Sequence, residues 1–309
     1  MVAVIRRPAL IVVSVVLLGA CTSESTSSPS TTVVSTTATT CEAPGDRADI
    51  AYDSDPLQQL DLYLPDDIGC RSVPVVVWVH GGGWQIGDKS NAMAPKVALW
   101  NDAGWAVVSA NYRLTDPDAP EATRVVAPTH NEDVASALAW LMNNAEDTGI
   151  DPASVAVLGH SAGAGIVAAL ATDPTYLEAQ GLQPSDLACV APLDTEAFSI
   201  ASVMEGGPVL TDVYRAAFGT DAERWDELSP LTHVGDAPIP PMLLVTRGTA
   251  DRRTIVATFA DAVAAADGSV TIVDLPGFTH EDVNKRIGDA TDDELTPALQ
   301  AFLTDCFAG

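Results

Sequence analysis

The sequence has 309 residues, 47% of them hydrophobic and 18% charged, which is the composition of a folded protein and not of a disordered one. Forty-two acidic residues against 15 basic ones give a formal net charge of -27. This charge repels phosphate backbones and so excludes nucleic acid as a partner, and most of the acidic residues are expected to form a solvated surface. The length accommodates one large domain behind a leader segment.

Residues 1–20 have the features of an export signal, because two arginines precede an apolar run that is too short to span a bilayer comfortably. The run ends in Leu-Gly-Ala-Cys at residues 18–21, which resembles the lipobox of bacterial lipoproteins. The resemblance implies that Cys21 carries a lipid, begins the mature chain and anchors it to the cell membrane, facing outside the cytoplasm. The alternatives are an ordinary secretory signal cut after Ala20 and a buried cysteine without consequence.

Residues 21–45 are predicted to be a lipidated cysteine followed by a linker. This stretch is dominated by Ser and Thr and contains little that could form a core, so it is expected to be a flexible tether. The folded domain is then predicted to occupy residues 46–309.

Four cysteines remain once Cys21 is assigned to lipid, an even number that favours two disulfides in an exported protein. Three pairings are possible, and the spacing does not choose among them. The pairing that we favour joins Cys41 to Cys70 and Cys189 to Cys306.

The domain alternates predicted strands with predicted helices. Residues 48–52 and 59–64 lie between turn formers and predict an antiparallel edge, while nearly continuous apolar runs predict buried central strands. This alternation predicts the α/β class, with a doubly wound, mostly parallel sheet and helices on both faces. The remaining elements are predicted at strands 73–79, 105–110, 155–158, 187–191, 242–246 and 270–274 and at helices 132–144, 162–171 and 295–302.

Residues 194–236 interrupt this alternation. The stretch contains Pro, Gly and short amphipathic segments. This composition is typical of an insertion that lies over the carboxyl edge of a sheet. We predict a small cap there and expect it to influence the choice of substrate.

Residues 159–163 are Gly-His-Ser-Ala-Gly and match G-x-S-x-G, the nucleophile elbow, between a predicted strand and a predicted helix. This turn holds the serine in a strained conformation that exposes its hydroxyl. Gly159 and Gly163 are expected because side chains there would collide with the neighbouring strand and helix. Ser161 is therefore the candidate nucleophile.

Residues 80–84 are His-Gly-Gly-Gly-Trp, directly after a predicted buried strand, a pattern typical of an oxyanion loop. Glycines allow backbone N–H groups to face the negative oxygen of a tetrahedral intermediate, and each such donor is worth about 3–4 kcal/mol. The candidate oxyanion-hole donors are the amides of Gly82, Gly83 and Ala162.

A serine hydroxyl needs an imidazole to accept its proton and a carboxylate to orient that imidazole. Of the five histidines, His280 lies in a loop straight after predicted strand 270–274, where proteins with this elbow place their base. The order serine, acid, histidine and a position just beyond predicted strand 242–246 make Asp251 the candidate acid. The predicted triad is Ser161, Asp251 and His280.

These motifs resemble the serine esterases of the α/β-hydrolase fold, especially the group of acetylxylan or feruloyl esterases and kynurenine formamidases. Trp84 completes the H-G-G-x-W loop of that group, and residues 60–65, 111–114 and 149–152 also match it. The likeness runs from about residue 52 to the C-terminus. It implies hydrolysis of esters or amides without a metal or organic cofactor.

Two further points accompany this resemblance. Trp84 and His160 are the candidate substrate-pocket residues. Arg247 is a departure, because a histidine or a small polar residue is common in the group before the acid loop.

The resulting prediction is an exported serine hydrolase that cleaves short acyl or carbohydrate-linked carboxylic esters through an acyl-enzyme. The alternatives are an arylformamidase, a lipase with a lid and a hydrolase-fold binding protein that does not catalyse.

Overall fold

The structure is a computed structural model that describes residues 44–66, 68–69, 71–206 and 208–308, without the side chains of 208–210. The predicted signal segment, Cys21, nearly all of the Ser/Thr-rich linker and the favoured bridge between Cys41 and Cys70 lie outside the described residues. None of the described helices is both long and apolar enough to cross a membrane.

One mixed sheet runs through the described part of the chain. It contains eight strands: β1 (Arg47–Ala51), β2 (Gln59–Tyr63), β3 (Val73–Val79), β4 (Ala106–Ala110), β5 (Ile150–His160), β6 (Cys189–Leu193), β7 (Met242–Thr246) and β8 (Val270–Asp274). Their order across the sheet is β1-β2-β4-β3-β5-β6-β7-β8. The first two strands pair antiparallel and the other six are parallel, which confirms the predicted edge and the predicted mostly parallel sheet.

Helices connect the strands and cover the sheet. They are α1 (Ala94–Asp102), α2 (Thr129–Asn143), α3 (Ala145–Thr148), α4 (Ala162–Thr172), α5 (Pro174–Glu178), α6 (Ile200–Glu205), α7 (Pro208–Phe218), α8 (Ala222–Glu227), α9 (Ala250–Ala265), α10 (His280–Lys285) and α11 (Leu295–Phe307). Single 3₁₀ turns lie at Glu121–Thr123, Pro184–Asp186 and Pro230–His233.

The sheet is buried on both faces. Successive side chains of a strand point to opposite faces, and Val77 and Trp78 of β3 accordingly belong to two different apolar clusters. The first cluster includes Leu138 of α2, and the second includes Trp100 of α1 and Leu299 of α11. The two-sided covering confirms the predicted doubly wound α/β architecture.

A disulfide between Cys189 and Cys306 joins β6 to α11, with 6.0 Å between the two Cα atoms, so this half of the favoured pairing is confirmed. The two cysteines are 117 residues apart in sequence. A bridge across so long a loop stabilises the fold by limiting the conformations of the unfolded chain. It also attaches the C-terminal helix to the strand that ends beside the candidate site.

The predicted cap segment is helical. Helices α6, α7 and α8 fill most of residues 194–236. The segment begins later than expected, because the amide of Asp194 still bonds the carbonyl of Val245 on β7 and so continues the sheet.

Candidate active site

Ser161 lies in the tight turn between β5 and α4. Its backbone angles are φ 58° and ψ −118°, a strained combination for a residue with a side chain. A Cβ on Gly159 would lie 2.5 Å from the carbonyl of Gly163, and one on Gly163 would lie 2.2 Å from the carbonyl oxygen of Val79. Both glycines are therefore required by close approach of the backbone, as the motif predicts.

His280 reaches Ser161 from the loop after β8. The distance from its Nε2 to Ser161 Oγ is 2.9 Å, so the two residues that the sequence predicted to act together are hydrogen-bonded. Thr279 caps helix α10, which begins at His280, and this cap fixes the backbone at the imidazole.

Asp194 is the carboxylate that bonds this imidazole. Its Oδ2 lies 2.5 Å from His280 Nδ1, and its side chain is 1% exposed. Because a carboxylate only accepts, Nδ1 carries the proton and donates it, which leaves Nε2 of the neutral ring to accept the Ser161 hydroxyl. Burial alone would raise the pKa of Asp194, but the hydrogen bond from His280 and the charge of Arg252 outweigh it and bring the pKa to about 2.

The prediction that Asp251 orients His280 is wrong. Asp251 is exposed in the first turn of α9, and none of the described residues forms a hydrogen bond or ion pair with its side chain. The reason is local, because Thr249 caps α9 and starts the helix one residue before Asp251. The side chain then leaves the helix toward solvent instead of extending from a loop at the sheet edge.

A signal for Asp194 was present in the sequence. It directly follows a buried apolar run, which the structure shows as β6, and it also satisfies the order serine, acid, histidine. Carboxyl ends of parallel strands meet at one edge, so the residue after β6 is expected near the residue after β5. The loss of strand and helix alternation after residue 193 instead favours placing Asp194 at the start of the predicted cap.

Two arginines also bond the carboxylate of Asp194. Arg247 Nε donates to Oδ2 at 2.5 Å, and Arg252 Nη2 donates to Oδ1 at 2.6 Å. Arg252 also pairs with Glu196. A buried carboxylate is costly unless it is paired, and these cations keep Asp194 ionised beside the imidazole.

His160 supports the backbone of His280. Its Nε2 donates to the carbonyl oxygen of His280 at 2.9 Å, and the two ring centroids are 4.5 Å apart. Burial and the neighbouring His280 lower the pKa of His160 to about 4, so it is neutral near pH 7. It also lines the larger cavity described below, as expected of a pocket residue.

The glycine loop after β3 presents free amides. Gly82 and Gly83 have φ values of 119° and 61°, which favour glycine, and a Cβ on Gly82 would lie 1.9 Å from the carbonyl oxygen of Ile86. Among the described residues, no acceptor bonds the amides of Gly82 and Gly83. Ala162 is the first residue of α4, where an amide has no partner within its helix. The three predicted donors therefore remain available.

Neighbouring side chains hold this loop in place. The ring of His80 stacks on Tyr112 at 4.5 Å, and Tyr112 donates its hydroxyl proton to the carbonyl of His80 at 2.9 Å. Asn111 accepts from the amide of Lys89 and donates to Asp88. His80 thus has a structural role and does not compete with His280 as the base.

Two cavities meet at Ser161. The larger has a volume of about 570 Å³ and is lined by residues 80–83, Ile86, His160 and helix α10. The smaller has a volume of about 240 Å³ and contains Trp84, whose ring packs edge-on against Tyr214 and Phe218. The predicted pocket residues Trp84 and His160 therefore line different cavities.

One group of side chains in the described part of the chain has the spacing of metal ligands. His160, Asp194 and His280 each offer a ligand atom within 4.8 Å of the others. A cation there would compete with the hydrogen bond between Asp194 and His280. It would therefore disturb the hydrogen-bonded row formed by Asp194, His280 and Ser161.

Residues 60–258, well over half of the chain, match the model of the BD-FAE family. The chain belongs to the BD-FAE family. The match begins in β2 and ends within α9, so the BD-FAE region contains Ser161 and Asp194 and stops before His280.

Curated relatives of this BD-FAE protein include esterases of Mycobacterium tuberculosis. Esterase LipQ is 29% identical over 72% of this chain and 53% of its own length, and carboxylic ester hydrolase LipN is 30% identical over 76% of this chain and 65% of its own length. The chain thus spans about half the length of LipQ.

Solved structures share the fold. A carbohydrate esterase from gut microbiota, in truncated form, superposes with a TM-score of 0.71 at 18% identity and covers 87% of this chain and 100% of its own. Esterase B from Lactobacillus Rhamnosis superposes with a TM-score of 0.69 at 21% identity and covers 86% and 87%, respectively. The BD-FAE chain therefore has the α/β-hydrolase fold, as predicted. Its narrower resemblance to acetylxylan or feruloyl esterases and kynurenine formamidases stays a prediction.

The geometry around His280 predicts unequal effects of two matched substitutions. Asp194→Asn is expected to lower kcat for a short acyl ester by about 10⁴-fold, because an amide no longer holds the imidazole in the required tautomer. Asp251→Asn should retain kcat within about twofold, because no described residue bonds that side chain. Steady-state kinetics of both variants provide the measurement, and a larger loss in Asp251→Asn would contradict the assignment.

Proposed function

We propose that this protein is an exported carboxylic ester hydrolase that works through an acyl-enzyme intermediate. The observation that carries the proposal is the hydrogen-bonded row Ser161, His280 and Asp194, with 2.9 Å from Ser161 Oγ to His280 Nε2 and 2.5 Å from His280 Nδ1 to Asp194 Oδ2. Curated relatives named as esterases support the same reaction class.

The first half of the reaction acylates Ser161. Its Oγ attacks the ester carbonyl carbon while the hydroxyl proton passes to Nε2 of His280. The resulting imidazolium is stabilised by the ionised carboxylate of Asp194. The carbon–oxygen bond to the alcohol then breaks, and the alcohol leaves with the proton that His280 returns.

The negative oxygen of the tetrahedral intermediate is assigned to the amides of Gly82, Gly83 and Ala162. These amides lack acceptors within the described chain and line the cavities that meet at Ser161. Donors that are oriented before the reaction stabilise the developing charge without reorganisation.

The second half of the reaction restores the enzyme. Water attacks the acyl carbon and transfers a proton to His280 Nε2, the bond to Ser161 Oγ breaks, and the serine recovers its proton from the imidazole. The products are one carboxylic acid and one alcohol.

The cavities favour a short acyl group and a bulkier alcohol. The cavity of about 240 Å³ is closed on one side by Trp84 and Tyr214 and suits a small acyl group. The cavity of about 570 Å³ has polar residues such as Lys285 and Asn284 along its wall and suits a larger, hydroxyl-bearing alcohol such as a carbohydrate.

Export and lipid anchoring belong to the same proposal. They rest on the apolar leader and on the Leu-Gly-Ala-Cys sequence that ends at Cys21. The Ser/Thr-rich stretch that follows would separate the hydrolase domain from the membrane surface.

The catalytic part of the proposal predicts that Ser161→Ala lowers hydrolysis of p-nitrophenyl acetate by about 10⁶-fold in kcat, since no nucleophile remains. Ser154→Ala is the matched control, because Ser154 lies within β5, seven residues before Ser161, and should behave like the wild type. A fluorophosphonate probe should label the wild type at Ser161. Equal rates of hydrolysis in wild type and Ser161→Ala would contradict Ser161 as the nucleophile, and a wild type that neither hydrolyses the ester nor is labelled would favour the non-catalytic binding protein.

The anchoring part predicts that the full chain, produced in a bacterial host fed labelled palmitate, incorporates the label and partitions into the detergent phase. Cys21→Ser should lose both properties because the acylated sulfur is gone, whereas Cys41→Ser should retain them. A wild-type protein that carries no label and remains in the aqueous phase would contradict the anchor and agree with a secretory signal cut after Ala20.

A further inference from the structure

The smaller cavity at Ser161 contains an unusual concentration of charge. Its wall combines the apolar side chains Trp84 and Val213 with Arg247, Arg252 and Glu196. Both guanidinium groups bond Asp194, and a cavity that received only an uncharged acyl group would need no further donors from them.

The two arginines differ in how much of their hydrogen-bonding capacity is used. Arg252 donates from Nη2 to Asp194 and from Nη1 to Glu196, so both of its terminal nitrogens are engaged. Arg247 donates only from Nε to Asp194, and its Nη1 and Nη2 have no partner in the described part of the chain. Neither nitrogen is fully buried, and Arg247 lines the cavity, so both can be reached by solvent or a ligand.

The position of Arg247 makes this free edge significant. Its side chain is 17% exposed, which means that the guanidinium is largely withdrawn from bulk water. Donors that are accessible and unused within the protein bond water, and a ligand group that makes the same hydrogen bonds can replace that water. The two terminal nitrogens of a guanidinium form a planar fork that matches the two oxygens of a carboxylate.

The local charge also permits an anion to enter. Arg247 and Arg252 are balanced by Asp194 and Glu196, so the cavity has no net charge while His280 is neutral. The acidic surface of the protein is screened over a distance of about 8 Å at physiological ionic strength. When His280 takes the proton of Ser161, the positive imidazolium is balanced by the negative oxygen of the tetrahedral intermediate, so the site as a whole stays neutral.

We propose that Arg247 makes the smaller cavity a specificity pocket for acyl groups that end in a carboxylate, so that half-esters of short dicarboxylic acids are favoured substrates. The inference rests on the proposed function, since it assigns the acyl group of that reaction to this cavity. Arg247 binds the distal carboxylate through Nη1 and Nη2, while Nε continues to hold Asp194.

The test compares two ethyl esters of nearly equal size, monoethyl succinate with its distal carboxylate and ethyl succinamate with an uncharged amide in the same place. The wild type is expected to show a kcat/KM for ethanol release from monoethyl succinate about 10- to 100-fold higher, the range for a hydrogen-bonded charged group. Arg247→Gln should remove this preference, and Arg247→Lys should retain part of it because the charge stays and the fork is lost.

The ratio of the two kcat/KM values is the readout because Arg247→Gln also disturbs Asp194 and lowers both rates. Arg253→Gln is the matched control, since Arg253 pairs with Asp274 outside the cavity, and it should keep the wild-type ratio. If Arg247→Gln is too slow to assay, calorimetry of succinate binding to Ser161→Ala replaces it, with at least a tenfold weaker Kd expected when Arg247→Gln is added.

The outcomes separate this inference from the proposed function. A wild type that hydrolyses both esters without preference, or an unchanged ratio in Arg247→Gln, overturns the specificity pocket and leaves the ester hydrolase intact. Failure of the wild type to hydrolyse these esters and p-nitrophenyl acetate as well would overturn the hydrolase and the pocket together.

Discussion

The site depends on the hydrogen bond between His280 Nδ1 and the carboxylate of Asp194. This bond fixes the tautomer of the imidazole and directs Nε2 to Ser161, so the nucleophile is activated only while the bond exists. Asp194 is almost fully buried and would be unfavourable as an anion by itself. Arg247 and Arg252 supply the compensating charge, so the stability of the carboxylate and the shape of the adjoining cavity come from the same two side chains.

The parallel sheet brings these groups together from distant parts of the chain. Ser161, Asp194 and His280 follow β5, β6 and the loop after β8, and all three therefore meet at the carboxyl edge. Their approach requires close packing, because Gly163 leaves no room for a Cβ against the end of β3. The disulfide from Cys189 to Cys306 then ties the strand that ends beside Asp194 to the C-terminal helix.

The sequence was sufficient for the strands and for two members of the row. Runs of β-branched residues located β3 and β8, an apolar run located β7, and the elbow motif located Ser161, because these signals are local. The identity of the acid could not be read from a local sequence motif. Asp194 and Asp251 both follow a buried strand and both precede His280, and only the start of α9 at its Thr249 cap decides which carboxylate faces the imidazole. Helices α1 and α9 were also missed, since neither shows a strong apolar stripe at helical spacing.

The most direct test of the pairing is proton NMR of the wild-type protein with ¹⁵N-labelled histidine, which observes the proton on Nδ1 of His280. A proton shared with a buried carboxylate is expected to resonate strongly downfield, and it should disappear in Asp194→Asn and persist in Asp251→Asn. A downfield resonance that survived Asp194→Asn and was lost in Asp251→Asn would contradict the account, and so would a wild-type protein in which the proton lies on Nε2.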